Sequence, residues 1–257
     1  MMAVISRFDK RVYNLELEKL AKIIKASKHL VVFTGAGIST ASGLSDYRGK
    51  DGVWTRKRKG LSEKNYKPFS KVKPTKAHEV IYKLFKEGIV KFVISQNIDN
   101  LHRRSGISES HLAEIHGNYN IMRCSHCDKR FFLKDLSITN TIQTVSNPVI
   151  LPNDKKFNCS CNGAIIPTFV NFGSPILQTE LNNAYTNAQR SDVFIAIGTT
   201  MSVEPASIIP KKALHKGAKL VIINLGSTEY DRKAYLKIEG DINEILPDLY
   251  KHIKKVK

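Results

Sequence analysis

Long apolar runs are missing from this 257-residue sequence. No stretch approaches the ~20 consecutive apolar residues of a membrane-spanning helix. The opening MMAVISRFDKRVY lacks the apolar core of a secretory signal. Neither a span nor a leader is expected, and the reading is a soluble intracellular chain. Cysteine is nearly absent too: there are four, all between Cys124 and Cys161. Two disulfides fit a reducing compartment badly, so a metal accounts better for that confinement. Acidic residues are also scarce, 23 Asp+Glu against 41 Lys+Arg, a formal charge of +18. Such an excess makes polyanions expected neighbours. The cations are dispersed, with concentrations at Arg56-Lys57-Arg58-Lys59 and in the final KHIKKVK. Charge alone is read without sequence specificity, so a solvated surface and a nucleic-acid or chromatin contact stay equally open. Internal repeats and low-complexity tracts are lacking as well.

What is present is enough apolar content, 42%, for a core. From Asn14 onward, Leu17, Leu20, Ala21 and Ile24 recur at helical spacing. Short apolar strands are predicted over residues 29–34, 90–95, 193–198 and 220–224. Helical patterns occupy residues 75–86, 179–190, 205–216 and 242–253. Helices alternating with near-continuous apolar strands predict an α/β fold, a Rossmann-like parallel sheet with helices on both faces. Residues 45–74 and 118–167 interrupt that rhythm. The expected division is a main domain of residues 1–45, 75–117 and 168–257 and a smaller lobe of 46–74 and 118–167.

Cys124-Ser-His-Cys127 and Cys159-Ser-Cys161 form two thiolate pairs. Four sulfurs brought together by a hairpin supply the tetrahedral shell that zinc prefers, and a closed shell leaves no position for water. The metal is therefore expected to be structural. His126 lies in the knuckle and is expected to point to solvent. Nothing beside the cysteines reads as a recognition helix, which counts against a DNA-binding ribbon.

Phe33-Thr-Gly-Ala-Gly-Ile-Ser-Thr40 nearly spells the dinucleotide fingerprint G-x-G-x-x-G, but Thr40 takes the third glycine's place. Gly35 and Gly37 follow a predicted strand, where a turn into a helix would cradle phosphates. Ser95-Gln-Asn-Ile-Asp-Asn-Leu-His102 follows a second strand and offers Gln96, Asn97 and Asp99 as hydrogen-bonding groups. Glu114-Ile-His116-Gly117 adds an imidazole, which near neutral pH can take a proton from a sugar hydroxyl.

GAGIST, Ser45-Asp-Tyr-Arg-Gly49, SQNIDNLH, His116-Gly117, Gly198-Thr-Thr-Met-Ser202 and Asn224-Leu-Gly226 occur in an order that resembles the sirtuin family of NAD-dependent protein deacylases. The resemblance runs from about residue 15 to 250 and includes the four-cysteine module, here Cys124, Cys127, Cys159 and Cys161 with one structural zinc. Gly52-Val-Trp-Thr55 resembles the class IV branch, whose eukaryotic members are largely nuclear, and leaves class III open. The resemblance implies that Ala36, Gly37 and Thr40 meet the phosphates and ribose of NAD. Asp46, Tyr47, Arg48 and Trp54 belong to the loop over the nicotinamide end. Gln96, Asn97 and Asp99 are implied to hold the nicotinamide ribose and carboxamide, with Gly198, Thr199, Asn224, Leu225 and Ile242 on the adenosine side. His116 is the implied general base: it deprotonates the ribose 3′-hydroxyl after the acyl oxygen of an acylated lysine has displaced nicotinamide. Free lysine, nicotinamide and O-acyl-ADP-ribose are the implied products.

The implied partners are acyl-lysine proteins, histones among them, and the branch resemblance with the charge favours a nuclear location. Some departures bear on this. Tyr47 stands where most members have Phe, and Thr200 where Ser is usual. In Phe169-Val-Asn-Phe-Gly-Ser-Pro175, beside the implied acyl-lysine channel, the family's acidic residue is missing. Two readings compete with a deacylase: mono-ADP-ribosyl transfer, and a basic zinc-containing chromatin-binding module with little turnover. A hydride-transferring dehydrogenase would need the completed fingerprint and is disfavoured.

Overall fold

Two-sided burial explains the central strands. In the computed structural model, which describes residues 4–6, 10–62, 67–136, 158–170 and 173–256, every residue of β2 (Leu30–Thr34) is buried; β1 is Val4–Ser6. Successive side chains of a strand face opposite sides. Leu30 and Val32 join one apolar cluster, and Val31 and Phe33 join another across the sheet. An apolar run without alternation is the sequence trace of that arrangement. The same holds for β3 (Val90–Ser95) and, further along the chain, for Val193–Ile197 and Lys219–Asn224.

The remaining strands are β4 (Leu112–Glu114), β5 (Ile121–Cys124), β6 (Arg130–Phe132), β7 (Ile165–Pro167), β8 (Val193–Ile197), β9 (Lys219–Asn224) and β10 (Leu236–Glu239). Among the described residues, seven form a parallel sheet in the order β1-β10-β9-β8-β2-β3-β4. The other three form an antiparallel sheet, β6-β5-β7. From β2 the chain builds outward to β3 and β4 on one side, then returns to β8, β9 and β10 on the other. The β2/β8 boundary is thus the topological switch point, where open parallel sheets bind ligands beyond the carboxyl ends of their strands.

The helices are α1 (Lys10–Ala26), α2 (Val53–Arg58), α3 (Lys76–Lys86), α4 (Leu101–Ser105), α5 (Gln178–Arg190), α6 (Ile208–His215) and α7 (Ile242–Lys255). α1, α3 and α7 bury Leu17, Leu20, Ile81 and Ile245 on one face of the large sheet. α5 and α6 bury Ala184, Ala188 and Ile209 on the other. Thr75 caps α3: its Oγ1 accepts from the His78 amide, and His78 Nδ1 accepts from the Thr75 amide at 3.2 Å.

Some boundaries differ from the sequence expectation. α1 begins at Lys10, before Asn14, and α6 begins at Ile208, after a turn that follows Pro205. The glycine turn leads into a 3₁₀ segment, Ala36–Ser42, instead of an α-helix. Strands β1, β4 and β10, of three to four residues, are too short for a periodic signal and went unpredicted. Residues 137–157 of the expected small lobe, and Asn171 and Phe172 of the expected acyl-lysine channel, lie outside the described residues.

Candidate active site

The glycines after β2 answer first to the protein itself. The Gly35 amide donates to the Ile197 carbonyl at 3.1 Å, and the Gly37 amide to the Gly198 carbonyl at 2.9 Å. A Cβ on Gly35 would lie 2.8 Å from the Gly198 oxygen, and one on Gly37 would lie 2.8 Å from Gly198 Cα. Gly198 itself has φ +62, a conformation that glycine adopts without strain. The turn after β2 and the turn after β8 therefore pack backbone on backbone across the switch point. Thr40, at the vacant third glycine position, is exposed, and its Oγ1 donates to the Gly37 carbonyl at 3.1 Å. Ala36 and Gly37 are half-buried beside it.

Beyond β3 the chain turns across that loop. Gln96 Nε2 donates to the Thr34 carbonyl at 3.2 Å and to Thr199 Oγ1 at 2.8 Å, bridging the ends of β2 and β8. Asn97 Nδ2 donates to the Gly35 carbonyl at 3.1 Å and to Ser39 Oγ at 3.2 Å. Ser39 Oγ donates to Asp99 Oδ2 at 2.6 Å, while Asp99 Oδ1 accepts from the Leu101 amide at 3.0 Å. Burial pushes the Asp99 carboxyl up, and these hydrogen bonds pull it back. The four residues hold the glycine turn, the β3 loop and the start of α4 as one polar unit. Ser39 is the member that the sequence reading missed, since a lone serine after a glycine motif carries no signal of its own.

His116 follows β4. Its Nδ1 lies 2.7 Å from the Gln96 carbonyl oxygen, which only accepts, so Nδ1 carries the proton and Nε2 the lone pair. Burial holds its pKa below the usual imidazole value, opposed by that hydrogen bond. Gly117 turns the chain at φ +81, and a Cβ there would sit 2.2 Å from the Thr168 carbonyl. The His116 carbonyl accepts from the Val170 amide at 3.1 Å. The imidazole thus stands between the β3 loop and the segment leaving β7.

The loop Asp46–Gly52 folds on itself: Val53 and Trp54 amides donate to the Asp46 and Tyr47 carbonyls, both at 2.9 Å. Tyr47 and Trp54 rings are 5.3 Å apart, and the Arg48 guanidinium lies 4.4 Å over Trp54. Across the switch point, Asn224 Nδ2 donates to the Leu225 and Gly226 carbonyls at 3.2 and 3.3 Å. Leu225 is 76% exposed, an apolar side chain left in solvent at the sheet's carboxyl edge. Ile242 is buried at the first turn of α7.

A second unpredicted group lies behind His116. Glu114 is buried; its carboxylate takes Arg103 Nε at 2.7 Å and Asn118 Nδ2 at 2.7 Å. Asn118 Nδ2 also donates to Asn100 Oδ1 at 2.9 Å. Glu180 of α5 accepts from the Glu114 amide at 2.9 Å and pairs with Arg130 of β6. The two sheets are joined here by charge. Burial raises the Glu114 carboxyl to about 7, against the pull of Arg103. A carboxylate between Ala113 and Ile115 was the available signal.

The four cysteine sulfurs lie within 4.8 Å of one another, and all four thiols are free of disulfides. Cys124 and Cys161 sulfurs are 3.4 Å apart, and those of Cys127 and Cys159 are 3.7 Å apart. Four thiolates at ~2.3 Å from a tetrahedral zinc stand about 3.8 Å apart, so the cluster suits zinc. Amides of His126 and Cys127 lie 3.3 and 3.5 Å from Cys124 Sγ, as thiolates at a knuckle require. His126 is exposed and outside the cluster. Gly163, unpredicted, passes so close that a Cβ would meet Cys124 Sγ at 2.4 Å.

The Sir2 family model matches residues 61–205. NAD-dependent protein deacetylase SRT1 of Arabidopsis thaliana is 36% identical, over 90% of this chain and 48% of its own length. The chain thus spans about half the length of that relative. An NAD-dependent protein deacetylase of Thermodesulfovibrio yellowstonii is 34% identical over 95% of this chain and 98% of its own length. A solved structure of Sir2 with a p53 peptide and NAD+ superposes with a TM-score of 0.69 at 30% identity, covering 91% of this chain and 97% of that one. With its sheet order, its four-thiol cluster, the family-model match and near end-to-end likeness to a relative, the chain belongs to the Sir2 family.

Proposed function

We propose that the chain is an NAD-consuming protein-lysine deacylase. The observation that carries this reading is His116, a half-buried imidazole with its Nδ1 proton committed to the Gln96 carbonyl and a lone pair left on Nε2. At neutral pH such a group is an unprotonated base beside a polar loop. NAD fits the donor set: amide, carboxylate and hydroxyl groups converge at the switch point, where dinucleotides bind open parallel sheets. When bound, NAD supplies a breakable glycosidic bond to nicotinamide and a ribose that accepts the acyl group.

In this reading Gln96, Asn97 and Asp99 orient the nicotinamide ribose, and Ala36, Gly37 and Thr40 border the phosphates. Gly198, Thr199, Asn224, Leu225 and Ile242 border the adenosine. Tyr47, Arg48 and Trp54 keep water from the reacting ribose. His116 Nε2 removes a proton from a ribose hydroxyl. The cysteines carry a structural zinc with no open position. The excess of positive charge suits the acidic DNA of chromatin, and the histone tails presented beside that DNA are the proposed substrates.

Incubation with NAD and a panel of acetyl-, succinyl- and myristoyl-histone peptides, read by mass, tests the proposal. Acyl-peptide-dependent release of nicotinamide with O-acyl-ADP-ribose is expected. ADP-ribose attached to protein would reassign the chain to transfer, and no turnover would leave a binding module.

A further inference from the structure

The large sheet carries a second cleft, at the edge opposite His116. It is an open concavity of about 480 Å³ where β2 and β3 begin, beside the end of α5. The β-strands between it and the candidate active site run five to six residues, a separation of ~15 Å at about 3.3 Å per residue. It belongs to neither the site described above nor the cysteine cluster.

The cleft is basic. Lys28, His29, Lys91 and His111 line it, with Asn187 and Arg190 of α5. Among the described residues no carboxylate pairs with Lys28, Lys91 or Arg190. The nearby acid, Asp192, is occupied: it accepts from Ser27 Oγ, from the Lys28 amide at 2.7 Å and from the His29 amide at 3.2 Å. His29 Nε2 is held by Asn187 Oδ1 at 3.2 Å. The imidazole registers the local field. Its pKa is lowered by burial first, then by the charges of Arg190 and Lys91, against the Asn187 hydrogen bond and Asp192.

Three cations line one concavity, with Lys91 Nζ donating to the Gly88 carbonyl at 2.5 Å, and together they suit a ligand of more than one negative charge. The Arg190 fork matches two oxygens of one phosphate, and the two lysines add point charges. A volume of about 480 Å³ has room for a compact ligand. We propose that this cleft binds a small phosphate-bearing anion of nucleoside-phosphate size through Lys28, Lys91 and Arg190.

The probe is inorganic pyrophosphate, titrated calorimetrically at low salt against the parent chain and its variants with no nucleotide present, so that the cleft's share is the binding lost on substitution of its cations. One pyrophosphate per chain is expected, weakened at least tenfold in a Lys91→Gln/Arg190→Gln protein and unchanged in His116→Ala. These surface substitutions leave the core intact, and circular dichroism checks that the fold survives. Absence of binding, or equal binding by the double variant, would overturn the proposal. Displacement by a short DNA duplex in preference to nucleoside phosphates would overturn it too, assigning the cleft to a nucleic-acid backbone.

Discussion

The Gln96 carbonyl oxygen lies 2.7 Å from His116 Nδ1, and that contact selects Nε2 as the basic nitrogen. Replacing His116 by Ala deletes the base without opening a sealed core, since the ring is only half-buried. Turnover should fall ~10²- to 10⁴-fold, with a thermal midpoint close to that of the parent. Burial lowers the imidazole pKa, so the neutral base persists below pH 6.5, and the acidic limb of kcat/KM should lie below that value. A near-parental rate for His116→Ala, or an acidic limb above pH 6.5, would remove His116 from the base's role.

Gly37 and Gly198 test why the motif needs glycine. Gly37→Ala places a Cβ 2.8 Å from the Gly198 Cα, which is backbone and cannot swing away. Overpacking of this kind costs ~1–3 kcal/mol, and the turns of β2 and β8 should separate, so NAD affinity falls as well. Thr40→Ala removes one exposed hydroxyl that donates to the Gly37 carbonyl, worth about 1 kcal/mol or less. Denaturant midpoints and NAD titration should rank Gly37→Ala as the more damaging. The opposite order would return the motif to a ligand-only explanation.

Much of this was legible in the sequence because burial writes period into it. β3, with Val90, Phe92, Val93 and Ile94, was bounded to the residue, and α3 and α5 to within one. The thiol cluster was legible because thiolates need no context beyond spacing. What failed to show was short or relational. β4 is three residues long, and its Glu114 gains meaning only when Arg103 and Asn118 arrive from elsewhere in the fold. The glycines of GAG were visible, but not that Gly198 would fill the space beside them. Likewise Ser39 acquires its function from Asp99, sixty positions on.

The cysteine cluster should yield about one zinc per chain to a strong chelator. Since a four-thiolate shell is closed, loss of metal should act through the β5-β6-β7 sheet, melting its apolar cluster of Met122, Leu133 and Ile165. Metal analysis with circular dichroism reads both. Gly163→Ala is a subtler probe: its Cβ would lie 2.4 Å from Cys124 Sγ, so metal should leave at lower chelator concentration than from the parent. Stability unchanged after complete chelation would show that the thiols hold nothing structural.

Glu114 gives stability a pH dependence whose sign follows from burial. Its folded carboxyl titrates at about 7 against an ordinary 4.5, so the native chain keeps a proton that the unfolded chain has already lost. Stability from this group is therefore full below pH 4.5 and declines as pH rises towards 7, by at most about 3 kcal/mol at 1.36 kcal/mol per unit. Arg103 opposes the decline by favouring the ionised form. Glu114→Gln keeps an acceptor for Asn118 Nδ2 and cannot titrate, so its stability between pH 5 and 8 should run flatter than the parent's. Urea unfolding at several pH values measures both slopes. Parallel profiles would mean that Arg103 keeps Glu114 ionised throughout, and that the ion pair joining β4 to α4 is permanent.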